Sequence, residues 1–86
     1  MYTLNFKKSV KKDLKKIGES RSIQILNAIK TKLLPDPHAG KPIEGHDGEI
    51  WSFRVGEYRV LYNINNDELG ILVIRIGHRR EVYKDI

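Results

Sequence analysis

Cysteine is absent from the 86 residues of this chain. Disulfides and thiolate metal sites are therefore excluded. No stretch is long and apolar enough to span a bilayer. The N-terminus lacks the apolar core of a signal region, so a cytoplasmic location is expected. Internal repeats and low-complexity linkers are missing too. Acidic residues are in the minority, with 11 Asp and Glu against 16 Lys and Arg, for a net charge of +5. Such a balance favours an acidic partner: nucleic acid, an acidic protein or an anionic surface. With 40% hydrophobic and 31% charged residues, the composition is that of a globular protein, and the length suits one domain over residues 1–86.

The most informative stretch is Glu49 to Tyr62. Apolar and polar residues alternate on both sides of Gly56-Glu57, which is the period of a β-strand. Glycine at the first central position of a two-residue loop suits a type II′ hairpin turn. This loop predicts the pairs Val55–Tyr58, Arg54–Arg59, Phe53–Val60, Ser52–Leu61 and Trp51–Tyr62. Trp51, Phe53, Val55, Tyr58, Val60 and Tyr62 then form a core face, and Ser52, Arg54, Arg59 and Leu61 the opposite one. Two arginines thus oppose each other across the strands. At ~6 Å their repulsion is about 1 kcal/mol in water and about 3 kcal/mol at an effective dielectric near 20. Two readings stand: the side chains splay into solvent, or they hold an anion between them. Phosphate is the natural anion, because the guanidinium fork matches its oxygens in pairs.

Before the hairpin, Tyr2 to Phe6 reads as a short strand. Phe6, Val10, Leu14 and Ile17 make one helical stripe, ending at a cap on Gly18. Lys7, Lys8, Lys11, Lys12, Lys15 and Lys16 occupy the other faces, as a solvated surface or an attraction for phosphates. A second helix starts at Ser20 or Ser22, buries Ile23, Leu26, Ile29 or Lys30, and Leu33, and ends at Pro35. The short link makes the two helices an antiparallel αα-hairpin. Residues 35–48 form a loop. His38 and His46 lie in it at a spacing that matches no metal motif. After the hairpin, residues 65–70 form a turn. Ile71 to Ile76 is a central strand with Arg75 as its polar exception, and Gly77 breaks it. The fold class expected is α+β: an N-terminal strand, an αα-hairpin and a three-stranded antiparallel meander, in the order β-α-α-β-β-β, with the helices on one sheet face.

Tyr58-Arg59-Val60-Leu61-Tyr62 and Gly77-His78-Arg79-Arg80-Glu81-Val82-Tyr83, behind a lysine-rich first helix, resemble the RelE/ParE toxin superfamily, and its RelE branch most closely. The resemblance covers nearly the whole chain. It implies a fold similar to small microbial ribonucleases and the toxin role in a type II toxin–antitoxin pair. It also implies a metal-independent endoribonuclease that cleaves messenger RNA in the ribosomal A site, by attack of the 2′-hydroxyl on the adjacent phosphate, and so inhibits translation. By the same resemblance Arg59 binds the scissile phosphate and Arg54 is a basic position on the same face. Arg79 contacts the phosphate or leaving group, and Tyr83 stacks on or positions the base. Arg80 and Lys84 join Arg54 and Ser52 as expected RNA contacts, although Ser52 stands where the RelE pattern often has lysine. His78 titrates near neutrality and is the candidate general acid or base. No cofactor or metal is implied. The partner implied is a cognate acidic antitoxin, RelB-like, in a heterotetrameric or similar complex. The alternatives are a ParE-like protein that binds gyrase, and an inactive homologue still bound by an antitoxin.

Overall fold

In the computed structural model, residues 2–46 and 48–82 are described. Five strands form one sheet: β1 (Thr3–Phe6), β2 (Lys41–Pro42), β3 (Trp51–Val55), β4 (Tyr58–Asn65) and β5 (Gly70–His78). Their order is β1-β5-β4-β3-β2. The helices α1 (Ser9–Ile17) and α2 (Glu19–Ala28) follow β1 in sequence. The α+β order read from the sequence is therefore the observed one, and β3, β4 and β5 make the antiparallel meander. Two pairings complete the sheet: β1 runs parallel to β5, and β2 is an edge strand on β3.

Val10 of α1, Ile25 of α2, and Ile29 and Leu33 just beyond it meet Phe53, Val60, Tyr62, Ile71, Val73 and Ile76 from the sheet in one buried cluster. The helices thus cover one sheet face, and the other carries Ser52 and Arg54 of β3 with Arg59 and the buried Leu61 of β4. Pairing in β4–β5 shifts at Leu61/Tyr62, so that Tyr62 faces Val73 and Leu61 faces Arg75. Ile74 is the extra residue. This bulge returns Ile76 to the core face, an odd step after Val73 that strict alternation would not allow.

Four sequence expectations change. Phe6 ends β1 instead of opening the helix, and is 40% exposed. Neither Ser20 nor Ser22 caps α2, because Gly18 (φ +100°) alone links the helices and holds the capping position. The Ser22 hydroxyl donates instead to the Leu14 carbonyl at 2.9 Å. That bond turns Ser22 and Ile25 inward, so Ile23 is 60% exposed and the buried stripe is Ser22, Ile25, Ile29 and Leu33. A π-helical turn over Ile29–Leu33 carries the last two onto the core. Gly77 lies within β5 and does not break it; Val82 packs over it, 3.6 Å from where a Cβ would stand. Among the described residues, no helix is long and apolar enough to cross a membrane.

Candidate functional site

The β3–β4 hairpin positions the site. Gly56 takes φ +60°, the conformation that the tight turn requires. All five predicted pairs are present, with Arg54 opposite Arg59. The Arg54 Nε donates to the Gly56 carbonyl at 3.2 Å, and the Arg59 Nη1 to the Tyr58 carbonyl at 3.4 Å. Arg54 is exposed and Arg59 half-buried. Together with Ser52, Lys41, Pro42 and Ile43 they line an open concavity of ≈ 400 Å³. None of its described lining residues is acidic. Such a hollow can hold an anion by direct guanidinium hydrogen bonds.

Nothing in the sequence distinguishes Lys41, which lies in a loop of mixed composition. It stands directly opposite Ser52 because residues 37–43 are pinned to the sheet. The Tyr62 hydroxyl donates to the Pro37 carbonyl at 2.6 Å, and the Ile43 N–H to the Ile50 carbonyl at 2.8 Å. Gly40 sits so close that a Cβ would be 2.5 Å from both the Ser52 carbonyl oxygen and the Tyr62 hydroxyl. Burial pushes the Tyr62 phenol up to about 12, helped by the charge of Asp36 and opposed by a Gly40 backbone hydrogen bond.

The C-terminal candidates separate. The Arg79 N–H donates to the Glu57 carbonyl at 3.0 Å, extending the β4–β5 ladder one step past the strand. Arg79 itself lies in the turn after β5, is exposed, and does not line the concavity. Arg80 is exposed, its N–H 3.4 Å from the His78 Nδ1. His78 is on the other side of the sheet. It pairs with Tyr58, edge-to-face at 6.0 Å, and its Nε2 is 3.7 Å from a Glu57 carboxylate oxygen. The expectation that it serves the arginine-bound phosphate as general acid or base conflicts with this placement. Adjacent residues on a strand face opposite ways, and His78 follows the core-facing Tyr58 rather than Arg59. Tyr83 and Lys84 lie outside the described residues. Among the described residues no group of three or more His, Asp or Glu could hold a metal ion.

With that geometry established, comparison with known proteins is specific. The sequence profile of the ParE toxin of the type II toxin-antitoxin system, parDE, matches residues 4–83. The chain belongs to this toxin family. Toxin RelG of Mycobacterium tuberculosis is 27% identical over 84 residues, spanning 96% of this chain and 97% of that one. The toxin–antitoxin complex RelBE2 of M. tuberculosis contains a chain of similar fold, with TM-score 0.82 and 28% identity, covering 91% of this toxin and 98% of that chain. The isolated E. coli RelE toxin superposes with TM-score 0.75 over 99% of this chain and 94% of its own, at 24% identity, a likeness of fold alone. Toxin RelG and the RelBE2 chain are thus similar to this toxin over nearly their whole length.

Proposed function

We propose that this toxin is an endoribonuclease that cleaves messenger RNA, acting on the translating ribosome in the cytoplasm and so stopping translation. The observation that carries the reading is the Arg54–Arg59 pair, held opposite each other in a hollow with no described acidic lining residue. A cross-strand pair of like charges is unfavourable until an anion lies between them. A phosphodiester supplies that anion. RNA also brings its own nucleophile, the 2′-hydroxyl, so the protein's task is to hold the phosphate and stabilise charge as it grows. Arg59 and Arg54 take the scissile phosphate, and attack gives a 2′,3′-cyclic phosphate and a free 5′-hydroxyl. Arg79, one step past the strand, serves the leaving oxygen or the next phosphate, and Tyr83 serves the base. This chemistry needs no metal.

The solved complexes of RelE-like toxins with RelB-like antitoxins support a cognate antitoxin here, acidic to complement the exposed lysines of α1 and the arginine face. A second reading rests on the ParE description of the matched family: binding to DNA gyrase without nuclease action. A translation extract with a labelled message separates the two. Cleaved message with the wild-type toxin and intact message with Arg59→Ala supports the nuclease. Intact message in both, with inhibited supercoiling by purified gyrase, overturns it.

A further inference from the structure

The segment between the helices and the hairpin contains a two-residue strand, β2, that delivers one charged side chain to the site. Lys41 is exposed, faces Ser52 across β2–β3, and lines the same hollow as Arg54 and Arg59. The elements beneath it are fixed by the Tyr62–Pro37 hydrogen bond, by the closeness of Gly40 to the Ser52 carbonyl and by the Ile43–Ile50 bond. An ordinary surface lysine has no such foundation.

Strand geometry sets how far this charge lies from the arginines. Arg54 and Arg59 are direct cross-strand partners, about 5 Å apart at Cα. Lys41 is two strands from Arg59 and two residues along, which at about 4.8 Å per strand and about 3.4 Å per residue puts their Cα atoms about 12 Å apart. From Arg54 the separation is about 8 Å by the same spacing. The arginines can close on one phosphate. Lys41 is displaced along the strand direction, toward the position of a neighbouring phosphate on the same RNA strand.

We infer that Lys41 is a second phosphate-binding residue, holding the phosphodiester next to the one gripped by Arg54 and Arg59. The site then recognises two consecutive phosphates of a single strand. This inference rests on the RNA reading given above. A lysine suits the role, since it acts as a mobile point charge, whereas the scissile phosphate receives the planar forks.

The test uses the full-length toxin and 2′-O-methyl uridine oligonucleotides, which lack the 2′-hydroxyl nucleophile and stay intact. Ligands with one and with two phosphodiesters are titrated by NMR. The wild type is expected to bind the two-phosphodiester ligand several-fold more tightly. Lys41→Ala should lose this gain while its affinity for the one-phosphodiester ligand holds, and Lys41→Arg should keep the gain. With a longer single strand, Lys41→Ala should also make the plot of log K against log salt shallower by about 0.7. Equal weakening of both ligands by Lys41→Ala, or no effect on either, overturns the inference while leaving the arginine site standing. Failure of the wild type to bind either ligand overturns the RNA reading and this inference with it. Thermal unfolding of Lys41→Ala at the wild-type temperature excludes loss of fold as the cause.

Discussion

The Asp13 carboxylate accepts a hydrogen bond from the backbone N–H of Ile76 at 3.1 Å, joining α1 to β5. β1 pairs with β5 only as far as Val73, followed by the Lys7 N–H on the Val73 carbonyl. Beyond that point the edge of β5 would be bare, and the helix supplies an acceptor in place of a strand. A part-buried N–H left without its partner costs about 1–3 kcal/mol. Asp13→Ala should therefore lower unfolding stability by ~1–2 kcal/mol in a urea titration, and Asp13→Asn, which keeps an acceptor oxygen, by less. Equal stability of all three would show that water satisfies this N–H as well.

Arg54 and Arg59 should trade stability against activity. Either alanine variant removes a like-charge cross-strand pair, so each should gain ~0.2–1 kcal/mol at low salt. The gain should shrink as salt rises, because the Debye length falls to about 10 Å at 0.1 M. Both variants should lose message cleavage. Unfolding curves at two salt concentrations check the first outcome and the translation extract the second. Wild-type stability with no salt dependence would mean the two guanidinium groups already point apart.

Tyr62 predicts an alkaline limb. Its phenol in the folded chain is pushed from 10.0 up to about 12, chiefly by burial. The unfolded chain releases this proton near 10, so between the two values the folded state binds more protons. Stability is then fully held below pH 10 and falls as pH rises toward about 12. Tyr62→Phe should cost ~1–2 kcal/mol at neutral pH, by leaving the Pro37 carbonyl without its donor, and should flatten that limb. Unfolding free energy against pH for both proteins is the measurement.

Gly40→Ala should act on both fold and site. The added methyl would meet the Ser52 carbonyl oxygen at 2.5 Å, and backbone cannot move aside cheaply. Overpacking of this kind costs about 1–3 kcal/mol. The shift should also carry Lys41 off its register with Ser52. Reduced RNA affinity together with a lower melting temperature is expected; wild-type values for both would show that residues 37–43 can slide.

His78→Ala should retain most of its cleavage, with an unchanged pH profile, because the imidazole is on the helix side with Tyr58. A neutral limb in the wild-type pH–rate curve that this variant abolishes would return His78 to the chemistry.

The hairpin was legible because two independent local signals agree on it. Gly56 fixes the turn, alternation fixes the faces, and a slip of one residue would have turned Phe53, Val60 and Tyr62 out to solvent. The paired arginines followed from that register. Less of α2 could be read, because Ile23, Ile25, Leu26 and Ile29 offer two apolar stripes. The choice between them falls to a hydrogen bond from Ser22 to another helix, which periodicity does not carry. Leu61 is fully buried although it lies on the face opposite the predicted core, flanked across the strands by Ser52 and Arg75. Lys41 stayed hidden for a related reason. Its position depends on Tyr62 and Gly40, each meeting partners distant in sequence or on another strand.

The strand order has a consequence for synthesis. β5, last of the strands to be made, sits between β1 and β4, and Thr3 finds its partner only in Gly70. While a nascent chain still lacks Gly70–His78, β1 is without its partner strand, and the Ile76 amide that engages α1 does not yet exist. Assembly of the five-stranded sheet must wait until Gly70–His78 has emerged. Prematurely ended translation products would therefore lack the completed sheet on which the arginine hairpin rests.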